Sequence, residues 1–149
     1  MGDNALLNAI LRVGYTDANV NHLEHPAPPP IEIDHFFEVQ HVVQIILPLL
    51  GPNWYRGRIG EFMDLASFVN DRRNLFRITR DDNQRKRSIL LRRYRRSIFI
   101  RRYLDSGLEG GGTVRDSVRA LARAMRGRQS AYSRLTNAVG TSLCRQMGW

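Results

Sequence analysis

The sequence predicts an α+β fold, a small antiparallel sheet with helices packed on one face. Three observations predict it. Ile31-Glu32-Ile33-Asp34-His35-Phe36-Phe37-Glu38-Val39 alternates apolar and polar residues at first, and Phe76 and Ile78 alternate with Arg77 and Thr79, as half-buried strands do. Ile59, Phe62, Met63 and Ala66 recur at i, i+3, i+4 and i+7, the spacing of one helical face. Val114, Val118, Leu121 and Met125 form a second helical stripe behind the punctuation of Gly110-Gly111-Gly112. A chain of 149 residues is most simply one domain with one core, and 42% hydrophobic with 25% charged residues is ordinary globular composition.

The elements follow in order. Asp3 or Asn4 is placed to cap a short helix through Ala5, Leu6, Leu7, Ile10 and Leu11, with Gly14 as its stop. His25-Pro26-Ala27-Pro28-Pro29-Pro30 reads as a stiff connector, because proline pins its own φ and extends the residue before it. Residues 1–30 are therefore an N-terminal helix and proline-rich connector, and 31–149 a basic α+β domain. Val42 to Leu50 is apolar on every side and suits a buried helix, ended or kinked by Pro48 and closed by Gly51-Pro52. Asn53-Trp54 is an entry turn whose Trp packs beneath the next helix. Thr113 with Asp116 three residues on is a variant of the capping box. Tyr132, Leu135 and Val139 carry the apolar pattern past Gly127, as one broken helix or two.

Between Arg72 and Arg102 the β-branched and aromatic content favours strands. Ser97, Phe99 and Arg101 alternate with Ile98 and Ile100, and Arg95-Arg96 would be a tight connection between two strands. The register of Ser88 to Tyr94 is ambiguous, and a helical reading of Arg87 to Leu104 stays open. The same stretch holds thirteen Lys or Arg against Asp81 and Asp82, a local balance of +11 in a chain of net +9. Residues 1 to 55 have the opposite sign, with six carboxylates and one arginine. Such a focused positive field attracts polyanions. Of the 23 basic residues only Lys86 is lysine. Arginine presents a planar fork of donors that matches phosphate oxygens. The arginines alternate with Ile, Leu, Phe and Tyr, so one face can pack while the other shows charge.

Catalytic signals are absent. His22, His25, His35 and His41 have no metal-binding or Cys-His spacing, and Asp81-Asp82 reads as a turn. Cys144 is the one cysteine, so no disulfide framework or cysteine zinc cluster is expected, which fits a reducing compartment. The glycine run is followed by no Gly-Lys-Ser/Thr and is not a phosphate loop. We expect no enzyme, no metal, no cofactor and no small-molecule substrate. No signal peptide opens the chain, and the run from Val42 to Leu50 falls far short of the about 20 residues that span a bilayer, so no membrane partner is expected.

From Ile31 the order is strand, apolar helix, the turn Leu50-Gly51-Pro52-Asn53-Trp54, amphipathic helix and strands. Ser97-Ile98-Phe99-Ile100 is then followed by Gly111-Gly112-Thr113 and its helix. Over roughly residues 31 to 139 this resembles the small RNA-silencing suppressors of tombusviruses and aureusviruses. The resemblance implies a homodimer joined through the last strand and helix, its extended sheet cradling double-stranded RNA, small interfering and longer, in the host cytoplasm or nucleus. The interface it implies is Ser97, Ile98, Phe99 and Ile100 with Val114, Val118, Leu121 and Met125. That family measures duplex length with tryptophans on an N-terminal helix. Asp3 to Gly14 holds none, so no length ruler is implied.

The residues alone lead to the same partner. The deep major groove of A-form RNA admits no side chains, so duplexes are recognised by phosphates and 2′-hydroxyls. The candidate RNA-facing residues are Arg72, Arg73, Arg77, Thr79, Arg80, Arg85, Lys86, Arg87, Arg92, Arg93, Arg95, Arg96, Ser97, Arg101 and Arg102. The alternatives are a structural protein that coats single-stranded nucleic acid, and an adaptor whose helices bind another protein.

Overall fold

A computed structural model describes residues 2–26 and 28–149; Met1 and, within the proline-rich connector, Ala27 lie outside the described residues. Strands β1 (Ile31–His35) and β2 (Leu75–Thr79) pair antiparallel, with Ile31 opposite Thr79 and His35 opposite Leu75. Among the described residues seven α-helices lie around them: α1 (Asp3–Leu11), α2 (Val39–Ile46), α3 (Ile59–Val69), α4 (Arg80–Arg87), α5 (Ile98–Leu104), α6 (Val114–Arg126) and α7 (Arg134–Met147). Short 3₁₀ turns occupy Leu47–Leu49, Arg72–Asn74 and Leu91–Arg96. The α+β class and the small antiparallel sheet are as the sequence predicts.

Most local signals act as read. Pro48 sits in the first turn of a 3₁₀ segment that ends α2 at Ile46. Trp54 packs under α3, its ring 5.5 Å from that of Phe62. Thr113 and Asp116 close a full capping box at the start of α6. The pattern past Gly127 is two helices, α6 and α7, which pack along each other. Gly140 makes that approach possible, because a Cβ there would meet the α6 backbone at 2.2 Å. Residue Gly2, not Asp3 or Asn4, holds the N-cap position of α1, and no side chain bonds there. The other end of α1 is tied by Asn70, whose amide donates to the carbonyls of Leu11 and Val13.

The stretch after β2 departs from the strand reading. It is α4, a 3₁₀ turn and α5, and the expected strand at Ser97 to Ile100 is helical. Arg95-Arg96 ends the 3₁₀ turn and connects no strands. The reason is a period of three. Leu91, Tyr94, Ile100 and Tyr103 are buried, each a multiple of three residues from the next. A 3₁₀ helix repeats every three residues, so Leu91 and Tyr94 eclipse on its inner face. Ser97 then accepts a hydrogen bond from the Ile100 amide at 3.1 Å and starts α5. Burial and capping override the β-propensity of Ile98-Phe99-Ile100.

The expected dimer interface fails with that strand, since no edge exists there to extend a sheet. Val114, Val118, Leu121 and Met125 lie inside this one chain's core. Ile100 is buried too, and Phe99 is half-buried beneath the Arg85 guanidinium. Ile98, of the expected interface set, is exposed.

Helix α4 is held to the sheet by the one lysine. Lys86 is fully buried, its Nζ 3.2 Å from Asp34 Oδ1 of β1 and 3.1 Å from the His35 carbonyl. Asp34 Oδ2 accepts from the Tyr103 hydroxyl of α5 at 2.8 Å. The Phe36 and Tyr94 rings flank the ammonium at 5.3 and 5.4 Å. Removing one partner of a buried pair strands the other charge, which costs about 3–5 kcal/mol. Lys86→Met is therefore expected to lose stability of that order in urea unfolding, and Lys86→Met with Asp34→Asn to lose less; equal losses would refute the pairing.

The pH dependence of this pair has a definite sign. Burial pushes the Asp34 carboxyl up to about 6, against the pull of Lys86. The folded chain then binds more protons than the unfolded one between the ordinary value of 3.8 and about 6. The contribution of Asp34 is complete below that interval and is lost as the pH rises through it. Asp34→Asn, which stays neutral, escapes this loss, so its stability deficit against the parent chain is expected to narrow between about pH 4 and about pH 7. A deficit that stays flat or widens in urea melts contradicts this.

Candidate nucleic-acid interface

The 3₁₀ turn explains how four arginines come to one surface. With Leu91 and Tyr94 inward, Arg92, Arg93, Arg95 and Arg96 all point to solvent. Arg101 joins them one turn into α5, its Nε donating to the Arg95 carbonyl at 3.3 Å. These five guanidiniums and Gln146 of α7 line an open cleft of about 740 Å³. Arg95 lies across the end of α7 against Gly148. A Cβ at Gly148 would stand 2.8 Å from the Arg95 Cζ, and its φ of +74° also favours glycine.

Two recesses open beside the cleft. One, about 530 Å³, is lined by Ser88, Ile89, Arg93, Arg96 and Ser97. The other, about 370 Å³, shares Arg92 and Gln146 with the cleft. No carboxylate lines the cleft or either recess. Among the described residues none of the five cleft arginines is paired with an acid.

The remaining expected RNA contacts are dispersed or committed elsewhere. Arg73 pairs with Asp71 at 2.9 Å, and Arg80 and Arg87 both reach Glu32, at 3.4 and 3.9 Å. Arg72 donates to Asn21 at 3.2 Å, and Arg77 is half-buried in β2. Arg85 covers the Phe99 ring at 4.9 Å, and shares a separate hollow with Arg102 and Asp82. Thr79 and Ser97 cap α4 and α5 with their hydroxyls. Lys86 is a correction: its ammonium is sealed in the core and reaches no phosphate. The cleft thus unites Arg92, Arg93, Arg95, Arg96 and Arg101, with Ser97 at its margin.

Gln146 and Gly148 escaped the sequence reading. Gly148, one residue past the helix and in the left-handed conformation, is a C-terminal helix stop. That signal was readable, but its place beside Arg95 depends on tertiary packing. His35 is held by Asn70 at 2.9 Å, His41 sits behind Glu38, and burial pushes both imidazoles below their ordinary range. Cys144 is buried in α7, and burial raises its thiol. Among the described residues no acidic, histidine or cysteine group has the makings of a metal site. Among the described residues no helix is long and apolar enough to cross a membrane. Comparison of the chain with protein-family models, with curated proteins and with solved structures finds no match.

Proposed function

We propose that this chain binds double-stranded RNA through its phosphate backbone, in the cleft of the 3₁₀ turn and α5. The observation that carries the reading is the set of five unpaired arginines on one acid-free surface. Elsewhere, among the described residues, seven of the seventeen arginines have a carboxylate partner: Arg58, Arg73, Arg80, Arg87, Arg115, Arg119 and Arg128. The five cleft arginines are crowded together without acids, and like charges so placed destabilise the fold unless an anion joins them. Guanidinium forks match phosphate oxygens, and a row of them suits a polyanion better than a single phosphate.

The cleft favours a duplex over a single strand. Proteins that coat single strands stack successive bases on aromatic faces. Here the only aromatic of the 3₁₀ turn, Tyr94, is fully buried, and no aromatic residue lines the cleft. What the surface offers is backbone contact, the mode by which duplex RNA is held. A protein that covers duplexes in this way withholds them from enzymes that process them. With the resemblance to tombusvirus suppressors, suppression of RNA silencing in the host cell is the role we propose.

Five neutralised phosphates would give log affinity a slope of about −4 to −5 against log salt, taking about 0.9 per contact from B-form DNA. Titrations of a duplex RNA at several salt concentrations measure it; a slope near zero contradicts backbone recognition.

Position matters as well as charge. Arg95→Ala with Arg96→Ala removes two exposed cleft arginines and is expected to weaken duplex binding by about 100-fold or more, at about 1.5 kcal/mol or more per charged contact. Arg80→Ala with Arg87→Ala removes the same charge from the Glu32 pair and is expected to cost less than about tenfold. Equal losses in the two variants would place the interface outside the cleft.

A further inference from the structure

The recess beside the cleft differs from it in chemistry. Ile45, Leu90 and Leu91 make it apolar, and Leu90 is 46% exposed where no partner covers it. Gln44 and Gln146 supply amides at its rim, and His41 closes it from behind. Gln44 makes no side-chain hydrogen bond among the described residues. Gln146 donates its amide to Ser142 at 3.2 Å, which leaves its carbonyl oxygen to accept. Arg92 and Gln146 stand on the boundary and line both spaces.

An arginine cleft opening onto an apolar recess with amides at its edge matches the parts of one nucleotide. The phosphate is anionic, the base has a flat apolar face, and the base edge carries donors and acceptors. Glutamine amides offer one donor group and one acceptor, which pair with such an edge. A volume of about 370 Å³ lies within the range of small-ligand sites, about 300–1,000 Å³. A base inside a duplex cannot reach such a recess, because its face is stacked and its edge paired. An unpaired nucleotide at a duplex end can.

We infer that the recess of Ile45, Leu90 and Leu91 takes the base of an unpaired terminal nucleotide, its phosphate held by Arg92. The inference rests on the duplex-RNA reading and adds to it a preference among duplexes. The cleft holds the backbone whatever the ends look like, and the recess separates frayed or overhanging ends from flush ones. It also allows base identity to be read, through the Gln44 and Gln146 amides.

Two measurements test it. The first compares a flush duplex RNA with the same duplex carrying two unpaired nucleotides at each 3′ end. The parent chain is expected to bind the second about tenfold more tightly, near the low end of what stacking one base contributes. Gln44→Trp, at an exposed position, fills the recess and is expected to abolish that advantage while flush-end binding is unchanged. Equal binding of the two duplexes by the parent chain, or an advantage that survives Gln44→Trp, overturns the inference. The second measurement follows the side-chain amide resonances of Gln44 and Gln146 during titration with uridine 5′-monophosphate and with inorganic phosphate. Shifts with the nucleotide and not with phosphate support the recess as a base site. Absence of shifts with the nucleotide refutes it even where duplexes bind. Shifts with the nucleotide in a chain that binds neither duplex would sink the duplex reading and leave the base site standing.

Discussion

The ion pair of Lys86 with Asp34 governs the orientation of the chain from α4 to α5. A buried charge is costly unless paired and hydrogen-bonded, so the ammonium has little choice of position. It takes Asp34 and the His35 carbonyl from β1, and rests between the rings of Phe36 and Tyr94. Tyr103 completes Asp34 from α5. One small cluster thus ties together β1, α4, the 3₁₀ turn and α5. Lysine suits the place because its charge is compact, on a flexible stem that threads between rings. A guanidinium would need a wider slot and more acceptors. This accounts for a chain with one lysine that is also its most buried cation.

The sequence reveals α1, α2, α3, α6 and α7 and the two strands because their signals are local. Thr113 and Asp116 cap where they stand, and Pro48 ends a helix wherever it occurs. Between Ser88 and Leu104 the local signals conflict. Ile98-Phe99-Ile100 prefers a strand when taken alone. The spacing of three between Leu91, Tyr94, Ile100 and Tyr103 prefers a tight helical path, and Ser97 is a good cap. Packing of Tyr94 against Phe36, ring centroids 5.6 Å apart, decides the conflict, and no inspection of neighbours in sequence contains that contact. The arginine site was legible as charge: every cleft arginine belongs to the +11 stretch. Its selection was not. Pairing with Glu32 or Asp71 depends on strands and turns meeting in space, and only those meetings show which arginines stay free. Lys86 illustrates the same limit, since a cation in a basic run reads as surface until its acid is found in β1.

Unpaired arginines at close quarters repel, and the fold softens that repulsion without neutralising it. The carbonyl end of α7 lies beside Arg95, where the helix dipole is negative. Arg101 spends one donor on the Arg95 carbonyl. Partial charges of this kind steady a guanidinium and leave its remaining donors free, whereas a carboxylate would occupy the fork. A site built on carbonyls can therefore be ordered before its ligand arrives and still hold most of its donors in reserve.

The choice of a 3₁₀ turn has a consequence of its own. At three residues per turn, residues i and i+3 lie directly above one another, about 6 Å apart along the axis. Arg92 with Arg95, and Arg93 with Arg96, form two such rows flanking the buried Leu91–Tyr94 row. An α-helix would rotate each successive partner by about 60° and spread the four guanidiniums around the cylinder. A strand would send alternate residues to opposite faces, so that half of the arginines would point into the core. Of the regular conformations, only the three-fold repeat keeps two apolar residues inward and all four arginines outward in parallel rows. The run Leu91-Arg92-Arg93-Tyr94-Arg95-Arg96 is written in that period, and the period turns a run of basic residues into a surface that can follow a line of phosphates.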